Sequence, residues 1–468
     1  MMHCIVTNSG FRKYAIVAGL ILVVTSSHVP AQQNSGLPDA PMPPRVLLAQ
    51  AQTPPPTGGA AQMPLPMPSP SAYAISIEQA LDLAKRNNPT LQANQALILQ
   101  NKAQEITANL RPNPVLSWDA QFLPLFSPSL LGDASYWETQ AQYDVGIGYL
   151  FERGKKRQHR LDVAKTSTAV TEAQVSDAQR TILANAAQLF VAALLAKSNL
   201  EFAQGLLDSY RKTADIGDER YKAGDMSRND LLKIQLQQLQ FESDVSNARL
   251  AKAQALASLR QFLGYDSLPA DYDVAGDLAY EPVPLHVEDL QARALNNRPD
   301  LQAARRNVTA SESQVGLAKA NGKVDLNVTF DYTRLNQSNL GAFYFNIPLP
   351  VFNKNQGEIA RTQYALTQSQ FQRKAAEQQV LTDVKNTYEG LRSSEQVVQL
   401  YDKGYLQKAT QSLDITRFSY EQGAASLLDF LDAERTYRST QLSYRQALAS
   451  YMTALEQLRQ AVGTRELQ

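Results

Sequence analysis

The chain has 468 residues and carries 45 Lys plus Arg against 45 Asp plus Glu, a formal net charge of zero that offers no basic surface for nucleic acid. A single cysteine, Cys4, excludes an intrachain disulfide framework, and four histidines (His3, His28, His159, His286) sit without ligand spacing, so neither a metal enzyme nor a cofactor is expected. The 44% hydrophobic content is enough for a packed core.

At the N-terminus Arg12 and Lys13 precede an apolar run over 14–24, followed by Val29-Pro30-Ala31. This reads as a signal peptide over 1–31, cleaved at a small-residue site. A membrane anchor is the alternative, and the run is short for one. Cys4 lies before the run, whereas a bacterial lipid anchor needs its cysteine just after it. No later stretch approaches the roughly 20 apolar residues of a spanning helix, so a chain that crosses a membrane after export does so with strands. Residues 32–72 are rich in Pro, Gln, Ala and Gly (Pro54-Pro55-Pro56, Met63-Pro64-Leu65-Pro66) and read as a disordered linker. Order begins at Ser76-Ile77-Glu78-Gln79, which has capping-box spacing.

The ordered part is a tandem repeat. Ala84-Lys85-Arg86-Asn87-Asn88-Pro89-Thr90-Leu91-Gln92-Ala93 returns about 210 residues later as Ala294-Leu295-Asn296-Asn297-Arg298-Pro299-Asp300-Leu301-Gln302-Ala303. Tyr221-Lys222-Ala223-Gly224 to Asp230-Leu231-Leu232 is matched by Tyr420-Glu421-Gln422-Gly423 to Asp429-Phe430-Leu431. The repeats are bounded as 73–264 and 286–463, with a connection over 265–285 and a tail over 464–468.

Each repeat runs through the same changes of hydrophobic period. A helix over about 89–110 stops before Arg111-Pro112-Asn113-Pro114, where prolines cannot continue it. Period-two alternation follows in Leu116, Trp118, Ala120 and Phe122, then, after a loop of Pro, Ser and Gly, in Ala141, Tyr143, Val145, Ile147 and Tyr149. The second repeat alternates through Val324, Leu326, Val328, Phe330 and Tyr332, turns near Asn339-Leu340-Gly341, and resumes at Phe343, Phe345 and Ile347. Such strands suit a barrel with one face to lipid and one to a wet lumen, or a soluble two-faced sheet; the export signal favours the barrel. On the barrel reading Trp118, Phe122, Tyr143, Val328 and Phe330 meet lipid, while Asp119, Asp144, Asp325 and Asp331 line an acidic lumen that favours cations. The alternative is that some of these carboxylates only solvate nearby loops.

Long helical stretches follow at about 155–214 and 356–417, each about 60 residues and so about 90 Å long. Leu189, Ala193, Ala196, Leu200, Ala203, Leu207 and Tyr210 form a 4-3 ladder, as do Val384, Thr387, Leu391, Ser394, Val398, Tyr401 and Tyr405. Coiled-coil packing is expected, with a globular bundle as the plainer alternative.

The order helix, two strands, very long helix, turn and helix, repeated after a signal peptide, resembles the TolC-like outer-membrane efflux family. Phe151-Glu152-Arg153-Gly154-Lys155-Lys156-Arg157 is similar to the segment leaving the barrel in that family's first repeat. The run Ile347-Pro348-Leu349-Pro350-Val351-Phe352-Asn353-Lys354-Asn355-Gln356-Gly357-Glu358-Ile359-Ala360-Arg361 is similar to its counterpart in the second, particularly in the heavy-metal (CzcC-like) branch. The similarity spans about 76–463. It implies a mixed α+β fold in which a long α-helical coiled-coil barrel continues a trimeric β-barrel of twelve strands, four per chain. It further implies a homotrimer in outer-membrane lipid that meets a periplasmic adaptor (membrane fusion) protein and an inner-membrane pump of the resistance-nodulation-division (RND) type.

The same resemblance places a gate at the periplasmic tip, formed by Tyr221, Gly224, Arg228 and Asp230 of one repeat and Tyr420, Gly423, Asp429 and Asp432 of the other. The family's gate arginine has no match, since Ala425 stands there and Arg228 lies in the other repeat. The plainer alternative is that the glycines serve the turns and Asp230 and Asp429, or Ser227 and Ser426, cap the next helix. The implied function is a passive exit duct for small molecules or metal ions in a tripartite efflux system. A type I protein-secretion duct and a pore-free periplasmic coiled coil are the alternatives.

Overall fold

The computed structural model describes residues 73–467, so the signal peptide and linker assigned to 1–31 and 32–72 lie outside the described residues. The first repeat opens on β1 (Ala74–Ile75) and α1 (Ile77–Asn87). The Ser76 hydroxyl accepts the Gln79 amide at 3.3 Å and the Gln79 side chain accepts the Ser76 amide at 2.9 Å, a complete capping box. Asn88 is extended (ψ 119), as a residue before proline prefers, and turns the chain into α2 (Pro89–Asn109). Then come β2 (Val115–Gln121), the short helices α3 (Pro128–Leu131) and α4 (Ala134–Thr139), β3 (Gln142–Phe151), α5 (Lys156–Ala223) and α6 (Arg228–Leu263). The loop expected between the first two strands thus contains two helical turns.

The connection holds β4 (Asp273–Val274), which pairs in parallel with β1. The second repeat follows with α7 (Val287–Asn297), α8 (Pro299–Asn321), β5 (Leu326–Leu335), β6 (Ser338–Asn346), α9 (Gln356–Leu400), a π turn (Tyr401–Tyr405), α10 (Leu406–Glu421) and α11 (Leu427–Val462). The four long strands make one antiparallel sheet in the order β2-β3-β5-β6. Their hairpins differ: β5 and β6 are joined by Asn336 and Gln337, both left-handed at φ 50 and φ 57, as a tight two-residue turn requires.

The repeat extends to the packing. In the first, Ala80, Leu81, Ala84 and Leu91 are buried against Ile182, Ala186, Phe190, Leu259 and Leu263. In the second, Leu290, Ala294 and Leu301 are buried against Val380, Val384, Leu391 and Leu458. Each helical corner is clamped to the end of its repeat's last long helix. Asn88 donates to the Phe262 carbonyl at 2.7 Å, and Arg298 at the equivalent position donates to the Ala461 carbonyl at 3.4 Å. A third cluster joins the far ends of both repeats: Leu207 and Tyr210 of α5, Ile234 and Phe241 of α6, Leu413 of α10, and Leu427 and Phe430 of α11.

Four sequence expectations need correction. Helix α5 has 68 residues, about 100 Å, and runs past 214 to Ala223, where Gly224 at φ 85 ends it. The second long stretch is not continuous to 417, because the π turn interrupts it at Gly404 (φ 131). The ladder holds through Leu391 and Val398, but Tyr405 is 64% exposed and burial resumes at Ala409 and Leu413. That is one residue later than a 4-3 ladder allows, the phase shift that the extra residue of a π turn produces. Phe122 lies just past β2 with left-handed backbone (φ 54), outside the strand alternation. Finally, α5 does contain an 18-residue window of mean hydropathy 1.4, long and apolar enough to span a membrane by composition. Of that window 44% is buried inside the fold, the alanine-rich seam serving close helix packing.

Candidate functional site

Cross-strand register assigns every sheet residue to a face, because residues paired across an antiparallel ladder point the same way. Trp118 pairs with Val145 and then Tyr332, and Leu116 with Ile147, Phe330 and Phe343. This face is apolar and open: Trp118 is 70% exposed and Phe343 66%. On the opposite face Asp119 pairs with Asp144 and Thr333, and Ser117 with Gly146 and Asp331. Gln121 donates to Asp119 at 2.7 Å and to Asp144 at 3.3 Å, and Gln142 donates to Asp144 at 2.7 Å. A Cβ on Gly146 would overlap the Asp331 carboxylate, so glycine makes room for the acid beside it.

Asp325 departs from the other three carboxylates. It precedes β5, pairs with Lys156 Nζ at 2.7 Å and accepts the Arg153 amide at 2.9 Å, so it joins the foot of the sheet to the start of α5. Among the described residues no group of three or more His, Cys, Asp or Glu side chains is placed to hold a metal ion. Strands β2 and β6 each have one paired side, which leaves two open edges.

At the other end of the long helices the two turns are built alike. Gly224 (φ 85) and Gly423 (φ 74) reverse the chain. The Ser227 hydroxyl accepts the Asp230 amide at 3.1 Å, and the Ser426 hydroxyl accepts the Asp429 amide at 3.2 Å. Asp429 returns the bond, accepting from the Ser426 hydroxyl at 2.7 Å and its amide at 3.2 Å, which holds this carboxyl below its usual range. Asp230 accepts from Ser227 at 2.9 Å and Lys233 at 3.3 Å. These aspartates therefore have a helix-capping role whatever else they do. Tyr221, Arg228 and Asp432 are exposed.

Tyr420 is the centre of the tip. Its ring stacks on Phe430 at 5.3 Å, and Arg220 lies 5.7 Å over its centre while donating to its carbonyl at 3.5 Å. Burial pushes the Tyr420 hydroxyl up, with Arg220 opposing and Asp230 reinforcing the shift. Asp230 is thus within electrostatic reach, yet the buried hydroxyl has no hydrogen-bond partner. The arginine brought to Tyr420 is Arg220, not Arg228. Glu434 on α11, absent from the residues expected at the site, is buried at 6% exposure. The signal was there: Leu427, Phe430, Glu434 and Tyr437 are spaced as a coiled-coil seam with an acid in it.

A four-stranded sheet, apolar on one face and carboxylate-bearing on the other, standing on long helices of which α5 reaches about 100 Å, is the build of an outer-membrane channel protein. The chain belongs to the outer membrane efflux protein family, which it matches over residues 80–265 and 290–464. It is 26% identical over 419 residues to the cobalt-zinc-cadmium resistance protein CzcC of Cupriavidus metallidurans, covering 87% of this chain and 93% of that protein. It is 25% identical over 338 residues to the cation efflux system protein CusC of Escherichia coli, covering 67% and 73%. In fold it is similar to a membrane protein crystallised from Pseudomonas aeruginosa, with TM-score 0.69 and 18% identity over 83% of this chain and 92% of the other. These relatives bear out the mixed α+β channel fold and the outer-membrane efflux function.

Proposed function

We propose that the protein is the passive exit duct of a tripartite cation-efflux system, working as a homotrimer with a periplasmic adaptor and an RND-type inner-membrane pump. The observation that carries the trimer is the pair of open sheet edges. Unpaired strand edges do not persist in lipid, whereas β6 of one protomer meeting β2 of the next closes a barrel with no edge. Closure with the apolar face outward turns Asp119, Asp144 and Asp331 into the lumen, where copies from three chains would favour cations. The cargo class rests on the relatives named for cobalt, zinc, cadmium and cation efflux.

The tip residues Tyr221, Gly224, Arg228, Asp230, Tyr420, Gly423, Asp429 and Asp432 form the resting gate in this reading, with Arg220 added by its contact with Tyr420. Conductance of the purified trimer in planar bilayers tests both duct and gate. The wild type is expected to conduct weakly, and Asp230→Asn with Tyr420→Phe to conduct more. Equal conductance would remove the gate assignment, and the absence of any conductance in both would remove the duct.

A further inference from the structure

The seam of α11 carries an acid where its neighbours are apolar. Leu427 and Phe430 precede Glu434 at 3-4 spacing, and the matching helix of the first repeat buries Leu231, Ile234 and Phe241. The Glu434 side chain is 6% exposed, and its Oε2 atom is buried without a hydrogen-bond partner. The hydroxyls of Tyr210 and Tyr420 are likewise buried and unpartnered. Tyr210 lies within electrostatic reach of both Glu434 and Tyr420, so the three orphaned groups share one cluster. Buried polar atoms are nearly always satisfied, and three orphans together need a reason.

We propose that Glu434 is a proton-operated latch that fastens the α10–α11 hairpin to α5 when protonated and releases it when ionised, so regulating the tip. This rests on the reading of the tip as the gate. A protonated carboxyl is neutral and gains an O–H donor, which a tyrosine hydroxyl on α5 or α10 can accept; the carboxylate can only accept, and loses its hydration on burial. The charged and titratable groups facing it are few. Tyr210 approaches from α5, Arg417 from α10 and Arg438 from α11 itself, while Tyr420 of α10 is within electrostatic reach of Tyr210. Arg438 is already engaged by Asp244 of α6 at 2.5 Å, and Asp230 of α6 acts on Tyr420. Burial outweighs Arg417 and Arg438 and pushes the Glu434 carboxyl up to about 7.

The hairpin has a place to pivot. Gly404 at φ 131 interrupts the second long helix above α10, in a conformation that disfavours a side chain, while α5 is unbroken over its whole length. The π turn is held to α11 by the Tyr444 hydroxyl donating to Asp402 at 3.0 Å, which fixes the pivot above α10.

The test measures the full-length trimer in nanodiscs, spin-labelled at Ala424→Cys with Cys4→Ser, by tip-to-tip distance at pH 6 and pH 8, alongside bilayer conductance. With a midpoint near 7, the protonated fraction of Glu434 falls about tenfold over this range, and the wide-tip population is expected to rise accordingly. Glu434→Gln, a permanent neutral donor of similar shape, is expected to stay narrow at both pH values. Infrared difference spectra of the otherwise unaltered protein are expected to show a protonated carboxyl at pH 6 that Glu434→Gln lacks. A pH response that persists in Glu434→Gln, or a Glu434 already ionised at pH 6, overturns the latch. Distances that move with pH while conductance stays constant keep the latch and remove the gate reading.

Discussion

Arg298 bears the most exposed consequence of the duplicated architecture. Its side chain is 5% exposed and makes a two-pronged pair with Asp300 at 3.0 and 2.6 Å. One further nitrogen reaches Asp383 at 2.8 Å, and the same atom reaches the Ala461 carbonyl at 3.4 Å. Burial by itself would lower the guanidinium's affinity for its proton; the two carboxylates outweigh that and raise it. Arg298→Ala removes three charged contacts and leaves two acids facing each other beside the start of α8. Breaking a buried pair from one side costs about 3–5 kcal/mol. Here Asp300 and Asp383 are each 33% exposed and can rehydrate, which puts the expected loss at the lower end, about 3 kcal/mol. Asp383→Asn keeps the Asp300 fork and is expected to cost about 1 kcal/mol. Arg298→Met with Asp383→Leu, which removes charge from both sides, is expected to recover part of the loss. Guanidinium unfolding in detergent, followed by far-ultraviolet circular dichroism, reads the midpoint and slope. An Arg298→Ala protein within about 1 kcal/mol of wild type, or one more stable than Asp383→Asn, refutes the clamp.

The equivalent corner of the first repeat gives a steric test. A Cβ on Gly264 (φ 99) would stand 2.9 Å from the Asn87 carbonyl oxygen, so Gly264→Ala is expected to lose about 2–3 kcal/mol in the same assay, and a neutral result contradicts the packing. Glu434 gives stability a pH slope. Its folded-state carboxyl is raised from 4.5 to about 7, so the folded chain holds the proton more tightly and the benefit is complete below 4.5. As pH rises to about 7 some 3 kcal/mol is expected to be lost, with little change above, and Glu434→Gln should flatten that part of the profile. For the barrel, Asp119→Asn with Asp144→Asn and Asp331→Asn is expected to reduce cation preference in reversal potentials across a salt gradient; an unchanged potential moves selectivity elsewhere.

Local sequence determined a great deal, because periodicity and turn chemistry act over a few residues. The alternation through Val328, Phe330 and Tyr332 determined the strand and its two faces. Gly224, Gly423, Ser227 and Ser426 marked the tip turns, since a left-handed glycine ends a helix readily and a serine hydroxyl accepts the free amides that open the next. The matched Asn88-Pro89 and Arg298-Pro299 corners announced the duplication.

Tertiary structure decided what depends on residues far apart in the chain. Asp325 has the same strand parity as Asp331, yet Lys156 and Arg153, about 170 residues away in sequence, take it out of the polar row. Arg220 rather than Arg228 reaches Tyr420, because a residue on the last turns of α5 faces α10 while Arg228 starts the next helix in solvent. The π turn moved the second ladder by one residue, a shift invisible to spacing because Tyr405 fits the uninterrupted count. Burial of Glu434 required α5 and α10 to come up against α11. Its neighbours in sequence carry the seam; only packing turns a glutamate there from a solvated side chain into a proton-binding group.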